Sequence, residues 1–432
     1  MSPENLAIAM LVTMIILVIL GSPVAFTLGG LAVIFGIAGW GLEVLSIFPE
    51  RIYTTMTAYS LIAVPLFVLM GAIIQASGVA ERLYNSFDLL FGSIKGGLAI
   101  ATMLLAILFG ACTGVAGASV VTIGLLSLPA MLERGYNKEL ATGTILAGGG
   151  LGVIIPPSIM LILYGPVAGI SISKLFSSAL IPGILLGLAY TAYIAIRCYI
   201  NPALSGLSPS TGKKEFHLIK VLASTCTSLL PTLFIILAVL GSIYFGIAAP
   251  TEAGAMGALG ALLLMIIYRK FTIAKVKEAS YMTIKATSMI MMLVVGAGLF
   301  TTVFLGMGGG DVIKEVILNL RIGTTGTVIF LLFLVLIMGM FMDWVGMLLI
   351  LVPIYTPIIS TLKVDSLWFA IAFCITLQIS YITPPFAYSV FYLKGVAPKG
   401  VELSHMYRGA IPYILIQVFF LVLLFVFPQI IN

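Results

Sequence analysis

Gly110-Ala-Cys-Thr-Gly-Val-Ala-Gly-Ala-Ser119 and Gly148-Gly-Gly-Leu-Gly-Val-Ile-Ile-Pro-Pro-Ser158 lie within 98–165, a stretch apolar enough for lipid yet broken twice where a spanning helix must be continuous. Small residues and a proline pair free backbone N–H and C=O groups at membrane depth. Each such group is costly unless it lines a protein-walled polar cavity, and broken helices of this kind build transporter binding sites. The pattern returns in Gly339-Met-Phe-Met-Asp-Trp-Val-Gly346, which repeats the spacing of Gly110 and Gly117. A proline pair follows in each case: Pro156 lies 46 residues after Gly110, and Pro384 lies 45 after Gly339. Pro156-Pro157 then leads to Tyr164 and Pro384-Pro385 to Tyr392 across six intervening residues. Matched breaks at matched spacing indicate an internal repeat.

The chain has 432 residues, 61% hydrophobic and 8% charged. A soluble domain carries about 25% charged residues, so the composition specifies an all-α polytopic membrane protein. No stretch is polar and long enough for a separate soluble domain. Met1-Ser-Pro-Glu4 is not basic and the apolar run after it exceeds signal length, so a cleavable leader is not expected. The net charge of +6 reads as loop bias in a membrane and not as a nucleic-acid surface. Cys112, Cys198, Cys226 and Cys374 show no paired spacing, which argues against disulfides and a metal cage. His217 and His405 both lie near polar loops, leaving little for histidine-based catalysis. Gly148-Gly-Gly lacks the Lys-Ser/Thr of a phosphate loop, and ATP-driven transport by this chain is disfavoured.

Outward from the first break, the chain divides into two repeats. The first, 1–198, holds scaffold spans over 5–78, a surface arm helix at 80–95, a re-entrant hairpin at 97–132, a broken helix at 139–168 and a span at 176–197. Within 5–39, Gly21-Ser-Pro23 is read as the turn between two short crossings, the alternative being one kinked helix. A cytoplasmic linker, 199–217, surrounds Lys213-Lys214. The second repeat, 218–432, holds scaffold spans over 222–307, an arm at 311–321, a hairpin at 324–360, a broken helix at 367–393 and a last span at 407–428. Residues 269–277, with Arg269, Lys270, Lys275 and Lys277, are expected to be a basic loop. Five crossings in the first half invert the second. That map places 16 of the 21 Lys and Arg residues on the cytoplasmic side and leaves Arg51, Lys174, Lys314, Arg321 and Lys363 outside, with both termini outward.

At a re-entrant tip one half-helix ends and another begins. The free carbonyls of the first suit a hard cation such as Na+, and the free N–H groups of the second suit an anion. The expected cation ligands are therefore Gly110, Thr113, Gly114 and Ser119 at the first tip and Gly339, Asp343 and Gly346 at the second, with Thr383 beside the second proline pair, where unwound carbonyls are available. The plainer reading of the small residues is close helix packing. Asp343 is a carboxylate among Met, Phe and Trp at membrane depth, a functional candidate by default; it would also cap the following half-helix. Substrate contacts are expected from Ser158, Pro156 and Pro157 in the first broken helix, and from Trp344, Pro384, Pro385 and Tyr388 in the second half. Glu252 reads as a helix N-terminal carboxylate, and Glu133-Arg134 as a solvated interfacial turn.

These residues resemble the large membrane subunit of tripartite ATP-independent periplasmic (TRAP) transporters over essentially the whole chain. The likeness is strongest across 110–165, including Arg134-Gly135-Tyr136 and Pro156-Pro157-Ser158, across Pro250-Thr-Glu-Ala, and from Asp343 to Pro357. The resemblance implies Na+-driven import of a small organic anion handed over by a periplasmic substrate-binding protein. It implies a small membrane subunit, here a separate chain, bracing this one in the bilayer of the inner membrane. An ion-transporter-superfamily-like elevator is implied too, in which hairpins and broken helices move against the scaffold. No cofactor is expected beyond Na+ as coupling ion, and no enzymatic activity. One departure stands out: many members carry Ser-Gly-Ser at the first tip, where this chain has Thr113-Gly114-Val115, so a hydroxyl is missing at 115. Carboxylates, sugar acids, sulfonates and ectoine-like zwitterions all fit a helix-dipole site. The competing functions are a channel, a stand-alone Na+-coupled carboxylate carrier and an intramembrane enzyme; the last would need a nucleophile–base pair that the apolar segments do not offer.

Overall fold

The computed structural model describes residues 2–92, 94–206, 218–319 and 321–431, with side chains described throughout except at 218–225 and 318. Residues 207–217 of the expected linker, with Lys213, Lys214 and His217, and Leu320 of the expected second arm lie outside the described residues. Among the described residues every regular element is helical.

Gly21, at φ +84°, and Pro23 separate α1 (Pro3–Ile19) from α2 (Val24–Trp40), which pack on each other. A 3-10 turn then leads into α3 (Val44–Met56), a helix absent from the sequence reading. Its Ser, Pro, Glu and Arg residues conceal it, and it buries only Val44 and Phe48. A second 3-10 turn leads into α4 (Ala63–Ala76), the last helix within the scaffold spans expected over 5–78. The arm is α5 (Val79–Phe91), whose apolar face (Val79, Ala80, Leu83, Tyr84, Phe87) is buried in protein, where α5 packs on α6 (Gly97–Thr113) and on α11, introduced below. That face was expected to lie on lipid; the neighbouring helices cover it instead.

The first hairpin is α6 and α7 (Ala116–Glu133), with Gly114-Val115 at the tip. The first broken helix is α8 (Lys138–Gly150) and α9 (Ile159–Ala168), and α10 (Ile172–Ile200) follows. Asn137 starts α8 by accepting from the N–H groups of Glu139 and Leu140 at 2.9 and 3.0 Å, a cap worth about 1 kcal/mol. The second half runs through α11 (Leu218–Tyr244), α12 (Pro250–Ile267) and α13 (Ile273–Gly306). It continues with α14 (Gly309–Asn319), the hairpin α15 (Gly323–Gly339) and α16 (Trp344–Thr361), the broken helix α17 (Ser366–Ser380) and α18 (Tyr388–Val396), and α19 (Leu403–Val426).

Two polar segments differ from expectation. The basic loop is short, because Thr272 accepts from the Lys275 N–H at 3.3 Å and opens α13 at Ile273, inside the expected loop. Lys275 then reaches back to the Ala76 carbonyl at 3.2 Å. Arg134 is not simply solvated: both its terminal nitrogens donate to Asp88 on α5, at 2.7 and 2.6 Å. Sequence could not foresee a pair separated by 46 residues. Glu252 accepts from the Ala249 N–H at 2.8 Å, closing the start of α12 behind Pro250.

The halves interlock by the same pairing made twice. The return arm α7 packs on α18 of the other half, and α16 packs on α9; likewise α4 packs on α12, and α2 on α13. Small residues permit the closest crossings. A Cβ on Gly110 would sit 2.9 Å from the Gly152 nitrogen, and a Cβ on Gly152 would sit 3.2 Å from Gly110, so α6 meets the first break backbone to backbone. Nine helical stretches among the described residues are long and apolar enough to cross a membrane, α2 and α3 counting as one. Both return arms, α7 and α16, are 18 residues long; their re-entrant reading rests on connectivity and charge, not on length.

Candidate functional site between the hairpin tips

Gly114 ends α6 in the left-handed region at φ +61°, its N–H donating to the Gly110 carbonyl at 3.0 Å. Val115 is extended and gives α7 no side-chain cap, so the first N–H groups of α7 keep their free valence. The Thr113 hydroxyl donates to the Phe109 carbonyl at 3.0 Å, which leaves its oxygen to accept from Ser119 at 2.7 Å. Both are buried, and together they pin the end of α6 to the start of α7. A Cβ on Gly114 would lie 2.9 Å from the Pro157 carbonyl oxygen, so the first tip sits directly against the first break. There Pro156-Pro157 is cis, and Ser158 donates to the Val153 carbonyl. Gly71 of α4 covers the other side, where a Cβ would be 3.2 Å from the Thr113 carbonyl oxygen.

The second tip is built differently. Asp343 is the N-cap of α16, its carboxylate accepting from the Val345 N–H at 3.2 Å. The Tyr388 hydroxyl donates to the Phe341 carbonyl at 3.1 Å and ties the second broken helix to this tip. Gly346 faces Val24 of α2, and Gly339 lies under the Ser380 side chain. Pro384-Pro385 is cis like its counterpart, but Pro384, Pro385 and Phe386 are exposed, whereas Pro156, Pro157 and Ser158 are buried. Ala387 takes φ +42° at the start of α18, a left-handed conformation that costs a residue with a Cβ about 1–2 kcal/mol.

The two tips border one cavity of about 110 Å³. Val115, Ala116 and Gly117 enter it from the first tip, and Asp343, Trp344 and Val345 from the second; Tyr381, Tyr388, Ser389 and Tyr392 come from the second broken helix. The scaffold closes it with Val68 of α4 and Ala286, Met289 and Ile290 of α13. Of the residues singled out in the sequence, Asp343, Trp344 and Tyr388 meet here. Thr113, Gly114 and Ser119 form the packed layer just behind it. Thr383 donates to the Ile379 carbonyl at 2.7 Å and does not line the cavity. Neither do Ser158, Pro156, Pro157, Pro384 and Pro385: the first break is packed into the core, and the second turns its prolines outward.

Sequence reasoning missed Tyr381 and Ser389 and used Tyr392 only as a marker of the repeat. Tyr388 and Tyr392, four residues apart on α18, fall on one helical face, which was the available signal. Tyr392 packs its ring on Gly117, where a Cβ would meet it at 2.9 Å. Tyr381 is buried and its hydroxyl has no hydrogen-bond partner. Tyr381 lines the cavity beside Asp343 and the start of α7.

Two hairpin tips and the second broken helix that meet at one cavity, in a chain with nine stretches among its described residues long and apolar enough to cross a membrane, fit a multi-pass membrane permease. Residues 11–430 match the family described as "Tripartite ATP-independent periplasmic transporter, DctM component", and the chain belongs to that family. It is 31% identical over 383 residues to the C4-dicarboxylate TRAP transporter large permease protein DctM of Pseudomonas aeruginosa, covering 88% of this chain and 87% of that protein. It is also 31% identical over 385 residues to the isethionate TRAP transporter permease protein DctMQ of Oleidesulfovibrio alaskensis, covering 89% of this chain and 59% of that longer protein. With the 2,3-diketo-L-gulonate TRAP transporter large permease protein YiaN of Escherichia coli it shares 30% identity over 422 residues, 95% of each chain. The crystal structure of the Alcanivorax borkumensis YdaH transporter has a similar fold, with a TM-score of 0.64, 15% identity, and 96% of this chain and 98% of that one covered.

Proposed function

We propose that this chain is the Na+-coupled membrane permease through which a small organic anion, delivered by a periplasmic substrate-binding protein, enters the cell. The observation that carries the reading is the cavity where both tips, the second broken helix and scaffold helices α4 and α13 converge. Uncapped N–H groups of α7 supply positive potential for a carboxylate or sulfonate. Asp343 and the carbonyl end of α6 supply negative potential for a cation, so the two ligands favour each other. The proposed cation ligands remain Gly110, Thr113, Gly114 and Ser119 at the first tip, Gly339, Asp343 and Gly346 at the second, and Thr383 beside the second proline pair. The twice-made packing of each return arm on the other half's broken helix supports an inverted repeat. The scaffold contributes only one side of the cavity, which suits an elevator in which hairpins and broken helices move past α4 and α13. The small membrane subunit is proposed as a separate partner chain; one relative is named DctMQ.

The test is uptake into proteoliposomes containing this chain and its small subunit, with the binding protein encoded alongside it outside. The substrate is taken from that binding protein's own ligand, among dicarboxylates, isethionate, diketogulonate and ectoine. Uptake should require both the loaded binding protein and an inward Na+ gradient. Equal uptake with choline in place of Na+ would refute coupling, and equal uptake without the binding protein would refute the tripartite reading.

A further inference from the structure

A second, larger crevice of about 590 Å³ opens beside the cavity between the tips. One wall is scaffold: Arg51, Thr54 and Thr55 of α3, and Gly298 and Thr301 of α13. The opposite wall belongs to the hairpin and broken-helix group, from Pro166 to Gly169 at the end of α9 and from Leu349 to Pro357 on α16. Both walls continue those of the tip cavity. On α13 the cavity ends at Ile290 and the crevice begins at Val294; on α16 the corresponding residues are Val345 and Leu349. The two spaces are therefore separated by about one helical turn, roughly 6 Å. In the orientation set by the positive-inside count, α3 and the far end of α16 face outward, so the crevice is the outer approach to the cavity.

Among the described residues, Arg51 is the one charged residue lining this crevice. Its guanidinium lies over Gly298, where a Cβ would stand 3.8 Å from the Arg51 Nε and equally 3.8 Å from the Thr55 hydroxyl oxygen. No carboxylate pairs with it among the described residues. An unpaired guanidinium set among threonine hydroxyls, with apolar walls around them, offers a planar fork of donors to a carboxylate or sulfonate. From this placement we infer that Arg51, with Thr55 beside it, forms a transient capture site for the anionic group of the substrate in the outer vestibule, before it reaches the tips. Arg51 stays with the scaffold, so the anion leaves it when the tips close and move. The capture site attracts anions without holding them through the cycle. This deepens the transport reading, which gives the anion its destination; anion attraction itself can be measured without transport, so the two fail separately.

The experiment uses the full-length chain in right-side-out membrane vesicles, with Cys226→Ser to remove the exposed cysteine and Thr301→Cys as reporter, one turn of α13 beyond Gly298. The probes are sulfonatoethyl and trimethylammonioethyl methanethiosulfonate, an organic sulfonate and a cation of similar size. With Arg51 intact the anionic reagent should react faster relative to the cationic one. Arg51→Gln should lower that ratio about tenfold, and Arg51→Lys should keep most of it, as expected for a unit charge several ångströms away in a partly hydrated crevice. A ratio unchanged by Arg51→Gln overturns the inference. A second measurement needs no change at Arg51: raising the salt from about 20 mM to about 0.5 M shortens the screening length and should compress the ratio, and a salt-independent ratio equally overturns the inference.

Discussion

The two hairpin tips occupy corresponding places in the chain and solve the same problem with opposite means. The first has no charge. It turns on one left-handed glycine, closes with the Thr113–Ser119 hydroxyl pair at 2.7 Å, and is wedged against Pro157 and Gly71 by backbone contacts. The second has no left-handed glycine. It turns through Met340–Met342, caps its return helix with the Asp343 carboxylate, and is tied by Tyr388 to a break that is open to its surroundings. The lesson is that matched breaks in the sequence do not impose matched chemistry. The first tip leaves its helix N-terminus without a side-chain cap, while the second spends its own N-terminus on the Asp343 carboxylate.

The sharpest way to break this comparison is to fill the first tip. Gly114→Ala adds a Cβ 2.9 Å from the Pro157 oxygen at a φ of +61°, so strain and clash act together. Uptake should fall by about two orders of magnitude or more, with a lower melting temperature of the purified chain. Gly346→Ala at the second tip meets side chains and no backbone, Val24 Cγ1 at 2.9 Å and Met342 Cε at 3.7 Å, and should retain a substantial fraction of uptake. Equal losses in the two variants would mean that the tips are not differently constrained.

Next in size is the charge. A carboxylate and Na+ about 4 Å apart at an effective dielectric near 20 attract by roughly 4 kcal/mol before desolvation is subtracted. If about 1.4 kcal/mol remains, that is a factor of ten in affinity. Asp343→Asn keeps an oxygen for the Val345 N–H. It should raise the Na+ concentration for half-maximal uptake about tenfold without loss of folded protein; an unchanged Na+ dependence would leave Asp343 a cap and nothing more.

Smaller effects separate the tyrosines. Tyr381→Phe removes a hydroxyl that bonds to none of the described residues. It should raise KM several-fold and leave thermal stability within error. Tyr388→Phe removes the bond to the Phe341 carbonyl and should cost about 1 kcal/mol of stability, visible as a lowered melting temperature. If the two variants behave alike, the cavity-facing and structural roles have been assigned wrongly. The smallest effect is expected from Val115→Ser, which restores a hydroxyl at the uncharged tip. It should lower the Na+ requirement by no more than about threefold, and a raised requirement would argue that the apolar side chain is needed there.

The sequence by itself determined a helical membrane protein, the places where its helices break, the proline pairs, and Asp343 as the exceptional charge. These follow from local rules: apolar length, glycine and proline at defined spacing, and the cost of a carboxylate in lipid. Two breaks with the same motif looked equivalent, and only the tertiary structure showed one sealed and the other open. It also decided that α3 is a helix, that the arm's apolar face rests on α6 and α11, and that Arg134 pairs with Asp88. Tyr381 and Tyr392 join Asp343 only because elements far apart in the chain converge there. Side chains meeting across dozens of residues leave no mark in local periodicity. Packing sets them, through close crossings such as that of Gly110 with Gly152, and a cavity exists only where such crossings stop short of filling space.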